Sequence, residues 1–139
     1  MSEFVLDSRL RADCIQLMQI DDIHILLMNN ALVPWFILVP ETNCIELHHL
    51  PESQFQRLTA TQLLLARFIE SCFAIDKINS AAIGNVVSQL HVHVIGRRKD
   101  DHCWPGVIWG NPQKTPYTSD RIAEIRQMLA AYFQQTDSL

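Results

Sequence analysis

Short runs rich in Ile, Leu, Val and Met alternate with polar turns through much of the chain. Apolar runs of about four to eight residues bounded by turn residues predict buried strands. We expect a strand pair joined by the acidic turn Asp21-Asp22, followed by a buried strand that Pro40 closes. The strands and short apolar segments indicated by this pattern are 14–19, 23–28, 35–39, 45–50, 77–85 and 86–95.

Two other segments repeat their apolar residues with a helical period. Pro51 suits the first position of a helix, because its missing N–H would be unpaired there in any case. The apolar stripe that follows it predicts a helix over 51–74. A second amphipathic helix is predicted near the end of the chain, with Ser119 or Asp120 as its N-cap. Strands joined by hairpins, with the helices set apart, indicate an α+β fold.

Composition narrows the class of protein. The chain has 139 residues, of which 48% are hydrophobic and 19% charged. These values suit a single globular domain over residues 1–139 and exclude intrinsic disorder. The net charge of −4 disfavours binding of nucleic acid along a broad surface. The longest nearly apolar run, 31–40, is interrupted by a proline and is far shorter than the roughly 20 residues that span a bilayer, so we expect no membrane partner.

The first residues and the cysteines predict a cytoplasmic location. The start of the chain, MSEF, lacks the basic flank and long apolar stretch of a secretory signal. The four cysteines form no CxxC motif. We therefore expect four reduced thiols in a cytoplasmic protein.

Candidate chemistry is concentrated in segment 89–95, whose sequence is QLHVHVI. Alternate residues of a strand share a face, so Gln89, His91 and His93 are predicted to project to one side. The intervening apolar residues would face the core. The two imidazoles would lie about 7 Å apart along the strand.

Three interpretations of this histidine pair remain open. The pair can be part of a half-buried strand with no further role. It can bind a metal, but a divalent site usually needs a third ligand, and the cationic run 97–99 follows directly. It can also form an anion site in which a neutral imidazole attacks an electrophile and forms a covalent intermediate.

The order of these residues resembles the histidine triad (HIT) family of nucleotide hydrolases and transferases. The family pattern is His-φ-His-φ-His-φ-φ, where φ is apolar. Gln89 stands at the first histidine position, His91 at the middle one and His93 at the last, as in a bacterial HIT-like subgroup with Gln first. The supporting segments are Gly84-Asn85, Cys103-Trp104-Pro105 and the strand 35–40, and the resemblance covers about residues 20–110.

The resemblance implies a HIT-like fold, an antiparallel sheet of about five strands with two main helices, and a homodimer across which the sheet continues. It implies hydrolysis or nucleotidyl transfer on a nucleoside phosphoramidate or a dinucleoside polyphosphate, through a nucleotidyl-His91 intermediate. His93 would contact phosphate oxygens or the leaving group, and Gln89 completes the catalytic set. Asn85 would hold a phosphate oxygen and Asn29 the sugar. The chemistry requires no metal or other cofactor in principle.

Three departures from the family pattern keep a different function open. Gln89 cannot titrate, Trp35 stands where many members have His, and Glu41 stands where many have Lys. The alternative is therefore a nucleotide-binding or interaction protein with a weak or inactive site. A metal-dependent enzyme ranks third. Elsewhere, the sequence predicts packing roles for Trp104 and Trp109 and a solvated strand end at 97–99.

Overall fold

The computed structural model describes residues 3–137. Three α-helices, one 3-10 helix and five strands follow one another along this part of the chain. In chain order they are α1 (Ser8–Asp13), β1 (Cys14–Ile20), β2 (Ile23–Met28), β3 (Trp35–Pro40), the 3-10 helix (Leu47–His49), α2 (Glu52–Cys72), β4 (Lys77–Ala81), β5 (Val92–Arg97) and α3 (Ser119–Asp137). None of the helices within 3–137 is long and apolar enough to cross a bilayer.

The five strands form one antiparallel sheet in the order β1-β2-β3-β5-β4. This arrangement confirms the α+β class, the five-stranded sheet and the two long helices. Strand β5 lies between β3 and β4, so the histidine segment enters the centre of the sheet rather than an edge. Its neighbour β3 is buried along its whole length.

Several element boundaries differ from the sequence predictions. The segment predicted at 45–50 forms only a single 3-10 turn. The strand predicted at 86–95 begins only at Val92, so the prediction is wrong for 86–91. Strand β4 ends at Ala81, before Gly84 turns the chain with a φ of 67°. Thr118 caps α3 instead of Ser119 or Asp120, since its hydroxyl accepts from the Arg121 N–H at 3.2 Å. Helix α1 was not predicted at all, because its six residues bury only Leu10 and show no helical period.

The sheet has two apolar faces. One face packs against α2 and α3 through Phe36, Leu38, Val92 and Val94. The other face carries Trp35, Ile37, Val39 and Ile95 and is covered by Leu6, Leu10 and the loop containing Ile108. Because side chains alternate along β5, His93 lies on this second face, under α1 and the loop rather than under the long helices.

The covering loop is fixed by a buried ion pair at the end of β5. The Arg97 side chain is 1% exposed, and its guanidinium binds both Asp101 carboxylate oxygens, at 2.8 and 3.0 Å. The same guanidinium donates to the Gly106 carbonyl at 2.9 Å. The prediction of a solvated strand end is therefore wrong for Arg97, because Asp101 and the loop carbonyl replace water around its charge. Trp104 packs on this guanidinium, 5.7 Å from ring centroid to Cζ.

Gly96 lets three elements meet at the same point. A Cβ at this position would lie 2.7 Å from Ile75 Cγ2, 2.9 Å from Ile69 Cγ2 and 2.9 Å from Pro34 Cγ. The Gly96 N–H donates to the Pro34 carbonyl at 2.9 Å. Only glycine therefore fits between β3 and the end of α2 without displacing its neighbours.

Candidate active site

Two buried histidines form the centre of the candidate site. His93 lies in β5 and His91 immediately precedes that strand; each is 6% exposed. Their ring centroids are 4.9 Å apart, with the ring planes at 70°. The structure therefore brings together the two histidines singled out by the sequence.

The backbone fixes the tautomer of His91. Its Nδ1 lies 2.7 Å from the carbonyl oxygen of Gln89. A carbonyl oxygen only accepts, so Nδ1 carries the proton. In the neutral ring, Nε2 then holds the free lone pair, and this is the nitrogen available for attack on an electrophile.

His93 has the opposite tautomer, and an indole sets it. Trp35 Nε1–H donates to His93 Nδ1 at 2.9 Å, in a buried contact. With Nδ1 accepting, the proton of the neutral ring must be on Nε2. His93 therefore presents an N–H donor where His91 presents a lone pair.

Burial keeps His93 uncharged. Loss of solvation, reinforced by the neighbouring His91, lowers the pKa of His93 to about 3. Trp109 packs edge-on against the His93 ring with centroids 5.3 Å apart. At neutral pH the site thus contains a neutral hydrogen-bond donor rather than an imidazolium.

His91 lines a cavity of about 180 Å³. Ser88 contributes a hydroxyl group to the cavity lining. The remaining lining residues are Ile45, Glu46, Leu47, His48, Ala82, Ile83, Gly84 and Leu90. Ile45 and Ile83 are 55% and 41% exposed, so the cavity lining includes exposed apolar surface as well as the exposed polar residues Glu46 and His48.

The other predicted site residues occupy three different places. Asn85 is exposed in the β4–β5 loop, next to the cavity residue Gly84. The Gln89 side chain forms hydrogen bonds with the backbone of Val5 and Asp7, near the start of the chain. Asn29 lines a separate cavity together with Trp35, and its side-chain oxygen accepts from the Tyr117 N–H at 2.9 Å. Asn85 therefore follows a cavity residue along the chain without itself lining the His91 cavity, and Asn29 lines a different cavity.

Glu41 is already paired. Its carboxylate lies 2.8 Å from His24 Nε2 and accepts from Gln19 Nε2 at 3.2 Å. Both partners lie on β1 and β2, the strands farthest from β4 in the sheet. The Glu41 carboxylate thus links β1 and β2.

One other group of side chains within the described part of the chain has ligand atoms close enough to hold a metal. Asp101, His102 and Cys103 each place a ligand atom within 4.8 Å of the others. The Asp101 carboxylate is occupied by Arg97, whose Nη2 also lies 3.5 Å from Cys103 Sγ. A guanidinium at this position repels a cation, so the cluster suits a structural role better than a metal site.

Trp35 is a site residue whose role the sequence did not predict: it sets the tautomer of His93. It was identified only as a departure from the family pattern, at the start of an apolar strand. Its pairing partner across the sheet is Ile95, which places its indole diagonally opposite His93 on the same face. The contact between Trp35 and His93 depends on the register of β3 against β5, which cannot be derived from the sequence.

Comparison with known proteins agrees with this geometry. The HIT domain model matches residues 9–100. A histidine triad protein from Marinobacter aquaeolei VT8 is 38% identical with a TM-score of 0.90, covering 96% of this chain and 98% of its own. One from Sinorhizobium meliloti 1021 is 35% identical with a TM-score of 0.89, covering 93% of this chain and 96% of its own. One from Bradyrhizobium japonicum is 32% identical with a TM-score of 0.89, covering 93% and 97%.

None of the curated proteins matches the chain. The domain model nevertheless spans well over half of the 139 residues, and all three structures are more than 30% identical over nearly their whole length. The five-stranded sheet with its buried histidine pair agrees with both findings. The chain belongs to the histidine triad (HIT) domain family.

Proposed function

We propose that the chain is a nucleotide hydrolase or nucleotidyl transferase that forms a covalent intermediate on His91. HIT-domain proteins typically act on nucleotides, and some of them are not catalytic. Support for a catalytic role comes from the opposite tautomers of the two histidines. His91 offers a lone pair at Nε2, and His93, whose ring centroid lies 4.9 Å away, offers a proton at its own Nε2.

The reaction divides one displacement into two. His91 Nε2 attacks the α-phosphorus, an N–P bond forms, and the bond from phosphorus to the leaving group breaks with its electron pair going to the leaving group. The leaving group takes a proton from solvent. Water then attacks the phosphorus and loses a proton to solvent as the N–P bond breaks, which releases a nucleoside monophosphate and regenerates neutral His91.

The role of His93 follows from its lowered pKa. As a neutral ring it donates Nε2–H to a phosphate oxygen, where negative charge increases in the transition state. The Trp35 hydrogen bond holds that donor in place before substrate arrives. A preorganised donor in a buried site stabilises the transition state without reorganisation at the moment of reaction.

The cavity entrance suits a nucleotide. Ile45 and Ile83 present exposed apolar surface for a base. We assign phosphate binding to the exposed Asn85, which follows the cavity residue Gly84 in the chain. The sugar contact at Asn29 stays a prediction from the resemblance, since its side-chain oxygen is already bonded to Tyr117. Candidate substrates are nucleoside phosphoramidates and dinucleoside polyphosphates.

The test is release of nucleoside monophosphate from a panel of both substrate classes, with a chelator present. We expect wild type to release it and His91→Ala to release none, while nucleotide affinity stays within about tenfold. His49→Ala is the matched control, because His49 is exposed and outside the cavity. No release by wild type, with nucleotide binding still measurable, would instead identify a binding protein.

The family resemblance also supports a homodimer in which the sheet continues across the two-fold axis. β4 lies at one edge of the sheet, where a second copy can pair with it. Sedimentation should give twice the chain mass of 16.0 kDa. A monomer at micromolar concentration would contradict this assembly.

A further inference from the structure

A groove leads away from the His91 cavity along the beginning of the chain. It has a volume of about 460 Å³ and shares Ile45 and Ser88 with the cavity. One wall is formed by residues 5–7 of the N-terminal segment (residues 3–7), together with Ser8 and Arg11 of α1. The opposite wall is formed by residues 42–45 and 88–89.

The His91 cavity alone is too small for a whole substrate. Its 180 Å³ falls below the roughly 300–1,000 Å³ of sites that enclose ligands of drug size. A nucleotide with a large leaving group must therefore extend beyond it. The adjoining groove offers that space, and its polar lining can bind a hydrogen-bonding group: Asp7, Ser8, Arg11, Thr42, Asn43 and Ser88.

The Gln89 side chain fixes the wall of this groove. Its Oε1 accepts from the Asp7 N–H at 2.8 Å, and its Nε2 donates to the Val5 carbonyl at 2.9 Å. The amide thus binds two backbone groups two residues apart, as a neighbouring strand would. Asp7 in turn caps α1 by accepting from the Arg9 N–H at 2.8 Å.

Gln89 also contacts the proposed nucleophile, but through its backbone. Its carbonyl oxygen accepts from His91 Nδ1–H at 2.7 Å. One residue therefore fixes the tautomer of His91 with its main chain and fixes the groove wall with its side chain. A carboxylate at this position lacks the donor that the Val5 carbonyl needs, and an aliphatic side chain lacks both groups.

We propose that the groove binds the leaving-group part of the substrate and that Gln89 is a positioning residue, which sets leaving-group specificity by fastening the N-terminal segment. This inference rests on the proposed function. It identifies the substrate class as a nucleotide whose leaving group is large and polar, extending beyond the reacting phosphate into the groove.

The first test measures, without any substrate, the clamp formed by the two hydrogen bonds from the Gln89 side chain to Asp7 and Val5. Gln89→Met keeps the side-chain length and removes both hydrogen bonds, so the Asp7 amide should exchange its hydrogen at least about tenfold faster than in wild type. Gln127→Met in α3 is the matched control, since Gln127 is exposed and far from the groove in the chain. Unchanged exchange at Asp7 would overturn the clamp.

The second test measures specificity. A nucleoside 5′-phosphoramidate has ammonia as its leaving group and does not reach the groove, whereas a dinucleoside tetraphosphate of the same nucleoside does. We expect Gln89→Met to lower the ratio of kcat/KM for the tetraphosphate to that for the phosphoramidate about tenfold, through KM for the tetraphosphate. Gln89→Glu should lower it less, and Gln127→Met should leave it unchanged.

The outcomes separate the two proposals. Release by wild type with the same substrate ratio in Gln89→Met would overturn the groove as leaving-group site while the His91 chemistry stands. No release by wild type from either substrate would overturn the proposed function, and this inference with it. Faster exchange at Asp7 together with the altered ratio would support both.

Discussion

Replacing Trp35 with Phe removes the hydrogen bond that sets the His93 tautomer and leaves most of the ring in place. The indole N–H donates to His93 Nδ1 at 2.9 Å, and both residues are less than 10% exposed. Without the donor, a buried acceptor loses its partner, which costs about 1–3 kcal/mol. The smaller ring also loses apolar contact worth roughly 1.5 kcal/mol. We expect Trp35→Phe to destabilise the protein by about 2.5–4.5 kcal/mol.

Trp109→Phe is the matched control beside the same histidine. The Trp109 ring lies 5.3 Å from His93, but its Nε1–H is buried without a hydrogen-bond partner among the described residues. The same substitution there removes apolar contact and breaks no hydrogen bond, so the cost should stay near 1.5 kcal/mol or below. The difference between the two variants isolates the Trp35–His93 bond.

Urea denaturation gives both free energies of unfolding, and ¹⁵N shifts of the His93 ring report its tautomer. We expect wild type and Trp109→Phe to keep the proton on Nε2, and Trp35→Phe to show a mixture of tautomers with reduced turnover. Equal destabilisation of the two variants, with the His93 tautomer unchanged in both, would refute the role given to Trp35.

Three further predictions concern stability, each measured by urea denaturation. Gly96→Ala should lower the free energy of unfolding by about 1–3 kcal/mol, because the added Cβ crowds three neighbouring side chains. An unchanged free energy of unfolding would mean that the sheet shifts freely there. Asp101→Asn should cost about 3–5 kcal/mol by leaving the buried Arg97 charge unpaired, whereas the exposed Asp100→Asn should cost less than about 0.5 kcal/mol. The pKa of His93 is about 3, against 6.5 for an ordinary histidine, so only the unfolded state binds this proton between those pH values. Stability should therefore fall as pH drops below 6.5, by up to about 1.4 kcal/mol per pH unit, and His93→Gln should remove that part of the slope.

The sequence was sufficient for the fold class and for most strands, because apolar runs and the helical period report burial directly. Strand β2 begins and ends where the pattern predicts, and α2 lies within the predicted range. Helix α1 was not predicted, because six residues with one buried side chain show no detectable helical period of apolar positions. Its position depends on the hydrogen bonds between Gln89 and the N-terminal segment, which join residues more than 80 positions apart.

The candidate site was predictable only in part, for the same reason. The spacing of His91 and His93 predicts one strand face for both; His91 lies just before β5, but the two rings still meet. The groups that assign their protons come from elsewhere: an indole of β3 for His93, and a carbonyl whose direction depends on the local backbone for His91. Such contacts depend on register and backbone direction, which neither composition nor spacing specifies.

The covalent intermediate tests the central claim most directly. Wild type mixed with a nucleoside phosphoramidate or dinucleoside polyphosphate is quenched at alkaline pH within one turnover, since N–P bonds hydrolyse in acid, and analysed by mass spectrometry. We predict one added nucleoside monophosphoryl group, located on His91 and absent from His91→Ala. Release of nucleoside monophosphate by wild type without any adduct, or with the adduct on another residue, would contradict His91 as the nucleophile.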